Sequence, residues 1–262
     1  MTAPEATDPR RLIRLEGAYN FRDLGGYRSS LGTTVRWGRV YRSDHLNTLT
    51  DNDRAVIAKL GLQTVIDFRL PFEQQQRPSR LPEGPTILHH GMADAPGAED
   101  GVRRIQAAMV GEAPAPGWEH WFESYHDMLD NSSPMFVRTM STLAEPGRLP
   151  ALYHCMGGKD RTGIASMLLL DLLGVDASAL LDDFELTNLH RTPARIAELR
   201  PELEARGVDM DAITPIIGVV RSAMVSAYER IVNEHGGAEG YLVQHGLDPA
   251  VPARLRELLL ES

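Results

Sequence analysis

The chain has 262 residues, of which 42% are hydrophobic and 24% charged, and its formal net charge is −9. These values are typical of a folded protein with a sizeable core. The negative charge argues against a nucleic-acid-binding protein, whose surface is basic, and one cysteine excludes an intramolecular disulfide framework. Because no apolar run reaches the roughly 18 residues of a membrane span, we expect a cytoplasmic protein without stable membrane insertion.

Strand signals recur in the first two thirds of the chain. The polar residues 1–11 are expected to form a flexible leader, and residues 12–262 a single domain. Thr50, with Asp53 three positions later, predicts a capped helix that ends near Gly61. Apolar or β-branched residues predict strands at 12–15, 40–44, 64–68, 86–90 and 152–154.

Helical patterns dominate the remainder of the chain. Helices that alternate with strands predict an α/β fold, in which helices cover a sheet. Residues 92–130 and 193–230 are candidates for a lid, with plain helical packing as the alternative. The patterns predict helices at 102–109, 118–129, 134–143, 162–173, 176–190, 193–205, 209–234, 238–245 and 249–260.

The most informative segment runs from His154 to Gly163, with the sequence His-Cys-Met-Gly-Gly-Lys-Asp-Arg-Thr-Gly. Its flanks predict a strand before it and a helix after it. A glycine-rich loop that enters a helix directs backbone N–H groups at one point and favours an anion there. The same field favours the thiolate of a cysteine at the start of the loop. The segment therefore predicts a phosphate-binding loop with Cys155 as its nucleophile.

The other residues of the loop suggest further roles. The planar guanidinium of Arg161 can bind two phosphoryl oxygens, and the Thr162 hydroxyl is expected to hydrogen-bond the thiolate. Asp160 is either a proton carrier for the leaving group and for water or the partner of a nearby cation. His154 is expected to orient the loop. The histidines show no metal-ligand spacing, so we predict no metal and no other cofactor.

These ten residues resemble the Cys-x5-Arg loop of the protein tyrosine phosphatase superfamily, in the form seen in bacterial tyrosine and lipid phosphatases of the protein tyrosine phosphatase B type. Three further patterns are similar to that family in order and spacing. They are Asn20-Phe21-Arg22-Asp23 followed by Gly25-Gly26, then Tyr41-Arg42-Ser43, and then Asp67-x-Arg69-x3-Glu73.

The resemblance implies a phosphatase-like fold, with a central, mostly parallel sheet of about four or five strands flanked by helices, a helical lid and a helical C-terminal part. It implies Cys155 as nucleophile, Arg161 as phosphate clamp and Asp160 as general acid. The larger tyrosine phosphatases place this acid on a separate Trp-Pro-Asp loop, and that sequence does not occur here. It also implies phosphorylated proteins or, through Lys159, phosphoinositides as substrates. The phosphate loop comprises Met156, Gly157, Gly158, Lys159, Arg161 and Thr162, and the supporting residues are His154, Asp67, Arg69, Asn20, Arg22 and Asp23, with Asp67 expected near Lys159.

Two alternatives belong to other classes of protein. A non-catalytic phosphate-binding module, or pseudophosphatase, would bind phosphorylated partners without turning them over, although it need not keep Cys155 and Asp160. Redox chemistry on a similar cysteine loop is the second alternative, but reductases usually use a resolving cysteine, and the chain has none.

Overall fold

A mostly parallel sheet lies at the centre of the computed structural model, which describes residues 5–92 and 97–262. The strands are β1 (Arg22–Asp23), β2 (Thr34–Val35), β3 (Val40–Ser43), β4 (Thr64–Asp67), β5 (Thr86–His89), β6 (Ala151–His154) and β7 (Leu260–Glu261). Five of them form the central sheet in the order β1-β3-β6-β4-β5, with β1 antiparallel and the rest parallel. Strands β2 and β7 form a separate antiparallel pair. The predicted α/β class and the sheet of four or five strands are confirmed.

The two central strands are buried on both faces. Every residue of β4 and β6 is buried, as expected for parallel strands that helices cover on both sides. Val65 and Leu152 contribute to the smaller hydrophobic cluster, whereas Ile66 and Tyr153 contribute to the larger one. Since the carboxyl ends of parallel strands share one edge of a sheet, the loop after β6 leaves from the middle of that edge.

Twelve helices pack around this sheet in the described residues. Helix α6, which follows the β6 loop, is the most buried of them, since all its residues except Asp160 and Asp171 are buried. The helices are α1 (Asp51–Ala58), α2 (Pro71–Gln76), α3 (Ala98–Met109), α4 (Glu119–Asn131), α5 (Ser133–Ala144), α6 (Asp160–Leu172), α7 (Ala177–His190), α8 (Thr192–Ala205), α9 (Met210–Ile217), α10 (Arg221–His235), α11 (Ala238–Gln244) and α12 (Val251–Leu259).

Local signals placed α1 correctly. Thr50 is its N-cap, with the hydroxyl accepting a hydrogen bond from the Asp53 N–H at 3.2 Å, while the Asp53 carboxylate accepts one from the Thr50 N–H at 3.0 Å. This is the reciprocal capping box that the sequence predicts. The helix after the cysteine loop begins at Asp160, two residues earlier than expected.

Long-range packing altered three of the predicted elements. The helix expected over 209–234 is wrong, because the chain breaks at Gly218, where a Cβ atom would lie 2.6 Å from Asn188 Oδ1. The strand expected at 12–15 is reduced to one isolated bridge, from Leu12 to Arg22. Helix α12 ends at Leu259 because the next two residues pair with β2.

The break at Gly218 also bears on membrane insertion. The segment Met210–His235 has a mean hydropathy of 1.3 over an 18-residue window, which by length and composition alone would allow a membrane-spanning helix. It forms two helices instead of one, and half of the window is buried inside the protein. Interior helices of folded domains have the same composition, so this segment provides only weak evidence for a membrane span.

The described part of the predicted leader packs against the domain. Ala6 is buried, and the guanidinium carbon of Arg11 lies 3.8 Å from the centre of the Tyr27 ring. Arg11 also donates hydrogen bonds to the carbonyl oxygens of Asp23 and Glu5, both at 2.8 Å. Residues 5–11 are therefore held to the domain by a buried cation, which a polar composition does not reveal.

Candidate active site

The loop between β6 and α6 wraps around the sulfur of Cys155. This cysteine is 2% exposed, and its Sγ accepts a hydrogen bond from the Gly158 N–H at 3.2 Å. Gly158 has a φ of +61°, and a Cβ atom there would lie 2.4 Å from the carbonyl oxygen of Ser43. Only glycine fits this position, because the turn needs a left-handed conformation and a close approach to β3. The loop thus directs an N–H group at the sulfur beside the N-terminus of α6.

Two side chains from the N-terminal third of the chain hold the same glycine from the other side. The Asn20 side-chain amide and Arg42 Nη2 both donate to the Gly158 carbonyl oxygen, at 2.9 and 2.8 Å. Arg22 Nη1 in turn donates to Asn20 Oδ1 at 2.5 Å. Asp23 lies outside this contact, since its carboxylate accepts from the backbone of Gly25 and Gly38 and shapes the turn there.

A buried carboxylate on α7 completes this support. Asp183 accepts hydrogen bonds from Arg42 Nη1 at 2.6 Å and from Arg22 Nε and the Tyr27 hydroxyl, both at 3.1 Å. Burial alone would raise the pKa of Asp183, but the two guanidinium groups outweigh burial and hold the pKa well below its usual range. Asp183 therefore stays charged and ties α7 to β1 and β3, whose side chains contact the loop.

Arg161, in the first turn of α6, is fixed by a carboxylate from α2. Its Nη1 and Nη2 donate to Glu73 Oε2 and Oε1 at 2.7 and 3.1 Å, and Nη1 also donates to the Phe68 carbonyl oxygen at 3.1 Å. Burial disfavours the charged guanidinium, yet the negative charges of Glu73 and Cys155 raise the pKa of Arg161 above its ordinary value. Glu73 and the Phe68 carbonyl oxygen thereby hold this planar cation in one orientation.

Asp160 lies next to Arg161, and both of its carboxylate oxygens have partners. Oδ1 accepts a hydrogen bond from the Tyr125 hydroxyl at 2.7 Å, and Oδ2 lies 3.4 Å from Lys159 Nζ. The side chain keeps 22% of its surface exposed. The ion pair that was one alternative for Asp160 is therefore present, while the exposed part leaves it accessible to a bound molecule.

Comparison with known proteins agrees with this geometry. The family model described as "Tyrosine phosphatase family" matches residues 13–261, nearly the whole chain. The chain belongs to this tyrosine phosphatase family. Its reaction class is therefore phosphoric monoester hydrolysis by a cysteine-based phosphatase, and its substrates are phosphorylated molecules.

Individual relatives support the same class. "Triple specificity protein phosphatase PtpB" of Mycobacterium tuberculosis is 28% identical over 94% of this chain and 98% of its own length. A Cupriavidus necator relative, whose name also refers to a tyrosine-protein phosphatase, is 31% identical over 92% of this chain and 86% of its own. A "Tyrosine-protein phosphatase" of Nostoc commune is 32% identical over 59% of this chain and 50% of its own. None of these names supports the alternative of a non-catalytic module.

In this phosphatase, Lys159 lies under segments from both predicted lid ranges. The lysine is 7% exposed, its Nζ donates to the Gly218 carbonyl oxygen at 2.9 Å, and Nζ lies 4.3 Å from the centre of the Trp121 ring. Burial lowers the pKa of Lys159, against the attraction of Asp160. Residues of α4 and of the α9–α10 break thus contact the phosphatase loop, and their opening as a lid stays a prediction.

The supporting pair Asp67 and Arg69 differs from expectation. Asp67 does not pair with Lys159, because its Oδ2 accepts from Arg69 Nη2 at 2.7 Å and lies 3.8 Å from His154 Nε2. Burial lowers the pKa of His154 and favours its neutral form, although Asp67 opposes this. Asp67 therefore lies beside His154, the last residue of β6, and the supporting role of the pair stays a prediction.

The expected role of Thr162 is also wrong. Its hydroxyl oxygen is buried without a hydrogen-bond partner among the described residues, so it makes no hydrogen bond to the sulfur. The contact expected from Thr162 is made by the Gly158 N–H instead. The Met156 carbonyl oxygen accepts from the His45 N–H at 3.1 Å, and Gly157 adds a weaker contact with Asn20, at 3.5 Å.

Sequence reasoning missed several residues around the phosphatase loop. Glu73 and Arg42 lie inside the patterns that carried the family resemblance, so a signal for them existed. The position of Asp183 beside apolar residues of a predicted helix is a signal that its carboxylate is buried. Among the described residues, no three histidine, cysteine or acidic side chains are grouped to hold a metal ion.

Proposed function

We propose that Cys155, Asp160 and Arg161 carry the phosphatase reaction through a cysteinyl-phosphate intermediate. The phosphoryl oxygens are bound by loop N–H groups and Arg161. The Cys155 thiolate attacks phosphorus, the bond from phosphorus to the ester oxygen breaks, and Asp160 gives that oxygen its proton. Water then attacks the intermediate, Asp160 takes the proton of the water, and phosphate and the thiolate are released.

One observation carries this proposal: a single loop holds both groups in place, since the Gly158 N–H donates to Cys155 Sγ at 3.2 Å and Glu73 fixes the Arg161 guanidinium at the start of α6. A phosphoryl group with its three non-bridging oxygens needs fixed donors in such an arrangement. Donors held in place before the reaction stabilise the negative charge of the transition state without reorganisation. Because Glu73 holds the guanidinium from behind, binding a substrate does not require Arg161 to find its orientation.

Hydrolysis of p-nitrophenyl phosphate in the presence of EDTA tests the catalytic residues. We expect turnover by the wild-type protein, none by Cys155→Ser, and an acid-stable phosphate adduct on Cys155 that rapid quenching traps in Asp160→Asn. Activity that survives Cys155→Ser, or an adduct on another residue, would overturn the proposed route. The control is Asn52→Ala, which alters an exposed residue of α1. This variant should keep full activity.

We also propose that the substrates include phosphoinositides as well as phosphotyrosine. The support is Lys159, whose ammonium group adds a second cation inside the loop beside Arg161. Two of its present partners, a carbonyl oxygen and an indole ring, are neutral, and the third, Asp160, is a carboxylate. An additional phosphate on the substrate is a stronger partner for this ammonium than a carbonyl oxygen. PtpB is named for triple specificity, which is compatible with such a range.

The substrate proposal is tested by comparing kcat/KM for a phosphotyrosine peptide and a short-chain, water-soluble phosphatidylinositol phosphate. Lys159→Met keeps the apolar length of the side chain and removes its charge. We expect it to lose about tenfold more activity on the phosphoinositide than on the peptide, one charged contact being worth about 1.5–3 kcal/mol. Lys59→Met, which alters the exposed lysine after α1, should change neither value. Equal losses on both substrates would contradict a role in selectivity.

A further inference from the structure

The hydroxyl of Tyr125 is the closest partner of the candidate general acid. It donates to Asp160 Oδ1 at 2.7 Å, whereas Lys159 Nζ is 3.4 Å from Oδ2. The tyrosine is fully buried in α4, most of which lies in a predicted lid range, but neither the sequence patterns nor the resemblance gave Tyr125 a role. The two carboxylate oxygens of Asp160 are therefore not equivalent.

The orientation of the phenol is fixed by its neighbours. The Tyr125 ring meets the Phe184 ring at 84° with 6.1 Å between centroids, and the Trp121 ring at 65° with 6.4 Å. Phe184 is itself wedged against α6, since a Cβ atom on Gly163 would lie 2.8 Å from it. Edge-to-face contacts of this kind hold an aromatic ring in one position, so the hydroxyl cannot follow Asp160 if the carboxylate turns.

Tyr125 is suited to donate this hydrogen bond but not to supply the proton of the reaction. Burial, together with the negative charge of Asp160, raises the pKa of Tyr125 well above its usual value. The phenol therefore stays neutral near pH 7. A neutral, immobile donor fixes the direction of a carboxylate without competing as an acid.

We propose that Tyr125 is a positioning residue for the acid-base step: its hydroxyl engages Oδ1 of Asp160 at 2.7 Å, and Oδ2 carries the proton when its longer contact with Lys159 Nζ, at 3.4 Å, gives way to the substrate. In the first step, the proton on Oδ2 goes to the ester oxygen as the bond from phosphorus to that oxygen breaks. In the second step, Oδ2 takes a proton from the attacking water. The proposal rests on Asp160 as general acid, which belongs to the proposed function.

A series of aryl and alkyl phosphates with different leaving groups tests this role through kcat/KM. Proton donation matters most for a poor leaving group, because an alkoxide cannot depart unprotonated, and general acid catalysis contributes roughly 10²–10⁴-fold. For Tyr125→Phe we expect a loss of about tenfold or more with alkyl phosphates and less than about threefold with p-nitrophenyl phosphate. Asp160→Asn should show the same pattern more strongly.

The double variant Tyr125→Phe/Asp160→Asn separates positioning from a structural effect. If Tyr125 acts through Asp160, the double variant equals Asp160→Asn alone for every leaving group. Tyr241→Phe is the matched control, since that buried hydroxyl also bonds to α4, at the Leu129 carbonyl oxygen, 2.7 Å away. It should leave the leaving-group dependence unchanged.

Three results would overturn the inference, and they can be told apart. A Tyr125→Phe loss that is the same for all leaving groups, or that persists in the Asp160→Asn background, would mean that the hydroxyl only supports the fold. An unchanged leaving-group dependence in Tyr125→Phe, with a steep one in Asp160→Asn, would leave the proposed function standing without this role. An unchanged dependence in Asp160→Asn would remove the general acid itself.

Discussion

Glu73 and Arg161 form a two-point ion pair beneath the phosphate loop, with N–O distances of 2.7 and 3.1 Å. Glu73 also caps α2, where its Oε2 accepts from the Leu70 N–H at 2.8 Å. One carboxylate thus joins a helix start to the phosphate clamp. Burial opposes the charge of Glu73, but Arg161 outweighs burial and lowers the pKa of Glu73.

Glu73→Gln should therefore impair both catalysis and stability. The amide keeps the shape of the side chain but leaves the guanidinium without a buried counter-charge, which costs about 3–5 kcal/mol. We expect at least a tenfold lower kcat/KM, since a displaced clamp no longer matches the phosphoryl oxygens. Urea unfolding and p-nitrophenyl phosphate hydrolysis measure the two effects.

The control for this variant is Glu145→Gln. That carboxylate pairs with Arg148 at 2.8 Å on the protein surface, where an ion pair contributes less than about 1 kcal/mol. Activity should be unchanged. If Glu73→Gln behaved like Glu145→Gln in both assays, the clamp would not depend on its buried partner.

Gly158→Ala should abolish activity through a backbone collision. A Cβ atom would meet the Ser43 carbonyl oxygen at 2.4 Å and the Asp44 nitrogen at 2.5 Å, neither of which can move without shifting β3. We expect at least a hundredfold loss of kcat/KM, because the N–H that faces the sulfur moves with the loop. Steady-state kinetics and thermal unfolding of the purified variant give the answer.

Gly147→Ala is the control for Gly158→Ala, because it introduces backbone strain without a steric collision. Gly147 has a φ of +77° with no atom within 4 Å of its Cβ position, so alanine there costs about 1–2 kcal/mol of strain alone. It should lower stability modestly and spare catalysis. An active Gly158→Ala variant would show that the loop does not need this close approach.

The sequence predicts those parts of the site whose residues are neighbours in the chain, but not those that depend on long-range contacts. The residues from Cys155 to Arg161 are contiguous, so their chemistry can be recognised before any fold is known. The pairing of Arg161 with Glu73 spans 88 positions, and that of Arg22 with Asp183 spans 161. Sequence patterns show that these charges exist but not which of them meet, because the meeting depends on how helices pack on the sheet.

The same distinction explains the incorrect predictions. The helix at 51–58 was predicted correctly because its capping box lies within four residues. The break at Gly218 depends on Asn188, thirty positions earlier, whose side chain accepts from the Val219 N–H at 2.9 Å. Asp67 was expected near Lys159 from the family resemblance, whereas Arg69 lies two residues away and donates to both of its oxygens.

Asp183→Asn should lower the stability of the fold and make that stability less dependent on pH in the acid range. The arginines hold the pKa of Asp183 below the value of about 3.9 expected in the unfolded chain. Their ion pairs therefore stabilise the fold fully above that value, and this contribution is lost as pH falls through the lower, folded-state pKa. We expect about 3–5 kcal/mol less stability at pH 7 and a smaller further loss between pH 5 and pH 2 than in the wild type.

Tyr27→Phe keeps this test informative if Asp183→Asn fails to fold. It removes one neutral donor to Asp183 and leaves both arginines in place, at a cost of about 1 kcal/mol. Its acid dependence should match that of the wild type. Urea unfolding at several pH values gives both quantities, and equal acid dependence in Asp183→Asn and wild type would exclude Asp183 as a source of acid sensitivity.

Asn20→Asp should misalign the loop without altering the clamp. The substitution exchanges the amide donor for a carboxylate that faces the Gly158 carbonyl oxygen, so an attractive contact becomes a repulsive one. We expect a loss of roughly tenfold or more in kcat and about 1–3 kcal/mol in stability. Asn52→Asp, on the exposed face of α1, is the matched control, and equal kinetics for the two variants would show that Asn20 does not hold the loop.

The anchoring of Gly158 has a consequence for how the enzyme is made. Its carbonyl oxygen is held by residues 20 and 42, and those side chains depend on a carboxylate at position 183. During translation, at about 5–20 residues per second, the cysteine therefore emerges seconds before the last of these anchors. A chain interrupted between residues 155 and 183 has the nucleophile but lacks the ion pairs that shape its surroundings. The folded form of the loop therefore requires that α7 has docked.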